Sequence, residues 1–389
     1  MHIFVPREGK SGERRVAIVP DVVSKYIRAG FTVAVENGAG VHAQADDASF
    51  TAVGAEIVSA TGISSADVIL SVNPLTAAQF ASVKKGAITI SFLPPNQSLD
   101  SIGAAAKAGA TAFSLELVPR ISRAQSMDAL TSQALCAGYR AALVAAELSP
   151  RFFPLLMTAA GTVTPANVVV LGAGVAGLQA IATARRLGAV VSAYDVRPAS
   201  ADEVRSMGAT FIDLKLEALE GAGGYAREMT EERAAKQREL LTPYLANADV
   251  VITTAAVPGR PAPRLVTEEM VAAMKPGSVI VDLAAESGGN VAGALPGEIV
   301  EKNGVRIWGG KDVPSQLAFH ASQLFAKNCM NLLLLMVKSE SDANGSTKSS
   351  LHLDFDDEII AASAVTHEGE VRHEGARASL ANGASGGAR

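Results

Sequence analysis

Apolar residues in this chain come in short runs, separated by segments whose apolar positions recur at helical spacing. Runs at 3–6, 32–36, 68–72, 87–92 and 111–117 read as buried strands, with helical stretches such as 21–29 between several of them. That alternation predicts βαβ units and a parallel sheet. A long helical pattern from about 123 to 148 stops at Ser149-Pro150 and is long enough to link two domains. A second series of strands follows at 168–171, 190–194, 210–213, 250–254, 278–283 and 306–308. Six such strands match a plan of two mononucleotide-binding halves. Residues 318–337 then read as a helix returning to the first domain. The polar stretch 339–350 resembles a linker, and 351–371 alternates like a hairpin turning at His367-Glu368-Gly369-Glu370. Residues 375–389 are rich in Ala, Gly and Ser and are expected to be disordered.

The expected fold class is α/β, with two doubly wound domains joined by long helices. The expected boundaries are 1–125 plus 318–371 for a discontinuous first domain, 126–317 for the second, and 372–389 for a tail.

Composition narrows the function classes. A length of 389 residues suits two or three domains. Net charge is −5 and no basic stripe is visible, which argues against a nucleic-acid partner. The two cysteines, Cys136 and Cys329, lie in apolar helical runs. They read as buried reduced thiols and point away from a disulfide scaffold or a metal site. The N-terminus has no apolar signal core, and the longest apolar run, 330–337, falls well short of the ~20 residues that cross a bilayer. The expectation is a soluble chain.

The sharpest motif is Gly172-Ala173-Gly174-Val175-Ala176-Gly177. A bare G-x-G-x-x-G is weak, but this one follows the strand-like run 167–171 and opens a helical stretch stopped by Gly188. The next strand ends at Asp195, 18 residues after Gly177. The first glycine suits a tight turn, the second a close approach of backbone to pyrophosphate, and the third close packing of helix on strand. Backbone N–H groups and the helix dipole then face the phosphates. This is the Rossmann dinucleotide fingerprint. Asp195 suits the adenosine ribose hydroxyls and favours NAD over NADP, because a carboxylate repels a 2′-phosphate. Arg197 leaves three possibilities open: pairing with a 2′-phosphate, stacking on adenine, or solvation.

A second polar segment, Pro119-Arg120-Ile121-Ser122-Arg123-Ala124-Gln125-Ser126-Met127-Asp128, precedes the long helix. Ser122 and Gln125 have capping-box spacing, so a capped, solvated first turn accounts for them. Equally, Arg120, Gln125 and Asp128 offer a guanidinium, an amide and a carboxylate suited to a nicotinamide carboxamide and ribose at a domain boundary. The residues alone leave both readings open.

Three blocks carry a resemblance: the segment 119–128, Met157-Thr158-Ala159-Ala160-Gly161-Thr162, and 174–184. Further matches are Gly223-Gly224-Tyr225-Ala226, Pro258-Gly259-Arg260-Pro261-Ala262-Pro263, and Met274 through Ala284. From about residue 1 to 371 the chain resembles the soluble NAD(H)-binding alpha component of proton-translocating NAD(P) transhydrogenase, a family related to alanine dehydrogenase. The resemblance implies an oxidoreductase subunit of the Si-Re specific type. It also implies NAD(H) as bound substrate, NADP(H) on a partner subunit, a membrane-spanning partner, a homodimer, and a place on the cytoplasmic membrane face.

Residue by residue, it implies catalytic roles at the nicotinamide for Arg120, Gln125 and Asp128. It implies nucleotide contacts at Ser122, Met127, Thr131, Gly172, Gly174, Val175, Ala176, Gly177, Asp195, Val196, Arg197, Gly224, Tyr225 and Ala255. Thr131 stands where the family usually has serine. Tyr225, after Gly223-Gly224, matches a tyrosine on a loop that closes over nucleotide.

Alanine dehydrogenase uses a lysine and a histidine for substrate carboxylate and proton. The matching stretches here, 70–75 and 91–96, contain neither. Hydride transfer between two nicotinamides needs ring positioning and no acid–base at the reacting carbons. That favours a transhydrogenase over an amino-acid dehydrogenase; a non-catalytic NAD-sensing module is the rival from another class.

Overall fold

The computed structural model describes residues 1–216, 230–256, 260–341 and 347–386. They form two compact units, 1–133 with 317–389 and 134–316. The first is discontinuous. Its first segment runs through Gln133, so the first turn of the linking helix, Ala129–Leu148, belongs to it.

Among the described residues, the first unit holds β1 (His2–Val5), β2 (Thr32–Glu36), β3 (Glu56–Val58), β4 (Val68–Leu70), β5 (Ile88–Ser91) and β6 (Thr111–Ser114), all parallel, in the order β3-β2-β1-β4-β5-β6. Alternate side chains serve opposite faces, as a pleated strand requires. Ile3, Val5, Val33, Val35, Val68 and Leu70 join one core with Tyr26 and Phe325. Phe4, Ala34 and Ile69 join another with Ile102 and Phe80. Both faces are therefore covered, which explains why the strands read as unbroken apolar runs.

The second unit begins with a hairpin, β7 (Leu156–Thr158) and β8 (Gly161–Val163). Its sheet holds β9 (Asn167–Leu171), β10 (Val190–Tyr194), β11 (Thr210–Phe211), β12 (Val250–Thr253), β13 (Val279–Asp282), β14 (Ile299–Lys302) and β15 (Val305–Gly309), in the order β11-β10-β9-β12-β13-β15-β14. Among the described residues, only β14 is antiparallel within this sheet. Each sheet reverses its winding beside its first strand, β1/β4 in one and β9/β12 in the other. Such a switch point is where doubly wound sheets bind ligands, outside the carboxyl ends of the strands.

The sequence reading missed β3 and β14, short strands at sheet edges where little apolar surface is needed. The stretch read as a linker instead contributes to a pairing of Val337–Ser341 with Thr347–Leu351. The turn at Glu368-Gly369 is present, flanked by two-residue strands, but a helix, Glu358–Ser363, lies inside the stretch read as hairpin. The tail is corrected as well. Glu374–Gly386 is a helix, with Ala376 buried and Leu380 packed at Gly103 on helix Leu99–Ala108. Two apolar residues four apart give it a face to bury.

One close approach in the second unit positions the motif that follows β9. Helix Ala129–Leu148 passes helix Val175–Arg186 so tightly that a Cβ on Gly138 would lie 2.0 Å from the carbonyl oxygen of Ala176. The obstacle is backbone and cannot swing aside. Gly138→Ala is expected to destabilise by about 1–3 kcal/mol, lowering Tm by several degrees in a thermal melt. Gly9→Ala, with nothing near its Cβ position, is the control and leaves Tm unchanged.

Candidate functional site

The glycine loop lies at the β9/β12 switch point of the second unit. Gly172 has φ +100°, a left-handed conformation that favours glycine. Its N–H donates to Tyr194 O (2.8 Å), and its carbonyl accepts from Thr254 Oγ1 (3.1 Å). A Cβ on Gly177 would stand 1.9 Å from that carbonyl oxygen, so the third glycine allows helix Val175–Arg186 to seat on the turn. Gly174 differs: the nearest atom to its Cβ position is Arg197 Nη2, at 4.0 Å. Its face is open for a ligand to approach the backbone. The helix behind it has no side-chain cap, so Val175 and Ala176 lie in a first turn whose N–H groups carry the positive end of the dipole. An uncapped helix start with an open glycine fits a phosphate group.

Asp195 sits just past β10 with its side chain 7 % exposed. Its Oδ2 accepts from Ala173 N (2.7 Å), which ties the strand end to the glycine loop. Arg197 donates to it from Nε, Nη2 and its own N–H, each at 2.9 Å. Burial alone pushes this carboxyl up. The guanidinium and the two N–H donors outweigh it and hold Asp195 below its usual range. Of the three possibilities open for Arg197, the structure shows a fourth, pairing with Asp195. Val196 between them is half-buried against the core under β9 and β12.

The loop after β12 closes the other side of the switch point. Ala255 N donates to Asn290 Oδ1 (3.0 Å), and Asn290 Nδ2 donates to the carbonyls of Ala255 and Pro263 (both 2.8 Å). Asn290 is fully buried, and both its amide N–H groups and its amide oxygen serve this loop. Sequence reasoning missed it. The available signal was an asparagine after Gly288-Gly289, which is too common a pattern to single out.

In the first unit, residues 122–127 form a 3-10 helix and Asp128 an extended break before helix Ala129–Leu148. The expected continuous helix from 123 and the Ser122 capping box are both absent; Ile121 precedes the turn and no side chain caps it. The cap is one turn later: Asp128 accepts from Thr131 N (2.8 Å) and Thr131 Oγ1 (2.6 Å). The Thr131 hydroxyl is thus bonded to Asp128. Asn328 and Asn331 fix the turn by donating to Ser126 O, and Arg123 pairs with Asp357. Arg120, Ser122 and Gln125 are exposed, while Met127 is a core residue whose side chain packs inward. Gly224 and Tyr225 lie outside the described residues, as do Pro258 and Gly259.

Comparison with known proteins agrees with this fold. Residues 4–137 match the family described as alanine dehydrogenase/PNT, N-terminal domain, and residues 141–374 match its C-terminal domain. The chain belongs to the alanine dehydrogenase/PNT family. It is 49 % identical over 383 residues to an NAD(P) transhydrogenase alpha-subunit chain of Rhodospirillum rubrum, covering 96 % of this chain and 98 % of that one. The solved structure of transhydrogenase from Sinorhizobium meliloti superposes with a TM-score of 0.83 at 44 % identity, over 96 % of this chain and all of that one. An L-alanine dehydrogenase structure gives 0.78 at 26 % identity, over 98 % and 99 %.

Membership of this family makes the first unit's switch point informative. Just beyond β1 and β4, Asn73 Nδ2 donates to Glu8 (2.9 Å) and Glu13 (3.0 Å), and Glu8 also accepts from Val72 N and Asn73 N. Arg15 donates to Glu13 through Nε and Nη2, and to Gln133 through Nη1. Burial pushes the Glu8 carboxyl up, only partly offset by these donors. Asn73 is a fixed amide here and has no proton to give at neutral pH.

Asn290 is the residue whose replacement should loosen the second unit's site locally. Asn290→Asp removes two N–H bonds to loop carbonyls, worth about 1–3 kcal/mol. Hydrogen exchange at Thr254 and Ala255 is expected to accelerate roughly 5- to 100-fold. Unchanged exchange there would show that the loop is held by other contacts.

Proposed function

We propose that this chain is the NAD(H)-binding subunit of a proton-translocating NAD(P)+ transhydrogenase of the Si-Re specific type. It presents NADH for direct hydride transfer to NADP+ on a partner subunit, and a membrane-spanning subunit couples that transfer to proton translocation. One observation carries the reading. An uncapped, glycine-opened helix start with Asp195 beside it occurs in a chain aligned almost end to end with a transhydrogenase alpha subunit.

In this reading the N–H groups of the 172–177 loop hold the pyrophosphate and Asp195 the adenosine ribose. Gln125, exposed on the 3-10 turn, and Arg120, exposed just before it, meet the nicotinamide carboxamide and ribose. Asp128, fixed by Thr131, sets the end of that turn. Bound NADH supplies the hydride, so the chain's own task is to orient the ring. NADP(H) belongs to the partner.

No helix among the described residues is long and apolar enough to cross a membrane. The reading puts the chain at the cytoplasmic membrane face through its partners. It also puts the chain in a homodimer. The hairpin region leaves Phe152, Leu155 and Met157 exposed, Met157 by 80 %, which is an apolar surface suited to a second copy.

The alternative is an alanine-dehydrogenase-type amino-acid dehydrogenase, favoured by the superposition on L-alanine dehydrogenase. Incubation with alanine and NAD+ separates the two. No NADH is expected; robust NADH formation would establish the alternative. Asp195→Ala is expected to weaken NADH binding by about tenfold or more, the scale of a charged hydrogen bond. Arg120→Ala should slow transfer more than it weakens binding. Identical behaviour of the two variants in both assays would defeat this division of roles. Finally, Met157→Asp should shift the chain from dimer towards monomer in sedimentation equilibrium, and an unchanged dimer would place the interface elsewhere.

A further inference from the structure

The chain carries an arginine at a position suited to a 2′-phosphate, and a carboxylate that occupies it. Asp195 receives four donors: Ala173 N, Arg197 N, Arg197 Nε and Arg197 Nη2. A carboxylate offers about four lone-pair sites, so its acceptor capacity is filled from its own neighbourhood. The guanidinium grips both oxygens, the strongest and most directional form of this pair. It also reaches over the glycine loop, to 4.0 Å from the Cβ position of Gly174. Arg197 therefore stands beside the ground on which the adenosine half of a dinucleotide would lie. In NADP-binding versions of this fold, an arginine near the end of this strand receives the 2′-phosphate.

We propose that, beyond the repulsion any carboxylate at this strand end exerts on a 2′-phosphate, Asp195 selects against NADP(H) by holding Arg197 away from serving as that phosphate's receptor. The inference rests on reading the 172–177 loop as the NAD(H) site. The physical reason is the state left behind. For Arg197 to turn to a 2′-phosphate, it must leave a carboxylate that is 7 % exposed, and a buried charge that loses its partner is strongly penalised. A ribose 2′-hydroxyl imposes no such demand. It is neutral and can displace a single donor from one carboxylate oxygen while the guanidinium keeps its bond to the other. The selectivity is thus stored in an ion pair between two residues of the chain itself.

The test is a double-mutant comparison of NADH and NADPH dissociation constants by fluorescence titration. Asp195→Ala is expected to tighten NADPH binding by about tenfold or more, the value of one charge-assisted hydrogen bond. Adding Arg197→Ala to it should abolish that gain. Asp195→Asn is the second variant: it keeps an acceptor for Ala173 N–H and lacks the charge, so it tests the idea even if Asp195→Ala folds poorly. No NADPH gain in either single variant would overturn the proposal. So would a gain that survives in the double variant, since relief of repulsion alone would then account for it. Failure of the parent reading looks different: the unmodified chain would bind neither NADH nor 5′-AMP.

Discussion

The contact on which this structure turns is between two pieces of backbone. The carbonyl of Gly172 lies where a side chain on Gly177 would begin, 1.9 Å from the ideal Cβ position. Only a residue without a Cβ lets helix Val175–Arg186 start there. Once it does, the other geometry follows in order. The helix leaves its first N–H groups uncapped and Gly174 open beside them. The peptide between Gly172 and Gly174 turns its Ala173 N–H towards the end of the neighbouring strand, where Asp195 accepts it. The loop after β12 then closes against Gly172 through Thr254, and Asn290 fixes that loop from behind. A positive dipole end, a fixed carboxylate and a rigid rim are set by one packing constraint.

The two units share the order of their first five strands but not a chemistry. Each winds outward from its first strand and reverses beside it, creating a crevice at the same topological place. In the second unit that crevice is opened by glycines and edged by backbone donors. In the first it is filled by the chain's own charges, with Glu8, Asn73, Glu13, Arg15 and Gln133 bonded to one another. The same fold therefore offers one ligand-ready switch point and one occupied internally. This illustrates why function follows the site rather than the architecture.

Most of the architecture was legible because both sheets are covered on both faces, so their central strands had to be apolar runs. The edge strands β3 and β14 escaped because an edge needs few apolar residues. The C-terminal helix escaped because Ala, Gly and Ser dominate its composition, and only Ala376 and Leu380 mark its buried side. The glycine loop and Asp195 were legible because each has a positional reason that sequence spacing records. Asn290 was not: its partners are backbone atoms of Ala255 and Pro263, and no pattern of residue types encodes a contact with another segment's backbone. The segment around Asp128 was legible in composition but not in shape. The break before Ala129 turned an expected cap at Ser122 into one at Asp128.

The central claim is that the dinucleotide held by this chain gives its hydride directly to a second dinucleotide. Isotope transfer tests it most directly. With the chain mixed with an NADP(H)-binding partner subunit, NADH deuterated at the transferred position of C4 should yield NADPH that retains the deuterium. Deuterium appearing in water instead, or no transfer to NADP+ by a folded mixture that binds both nucleotides, would contradict the account.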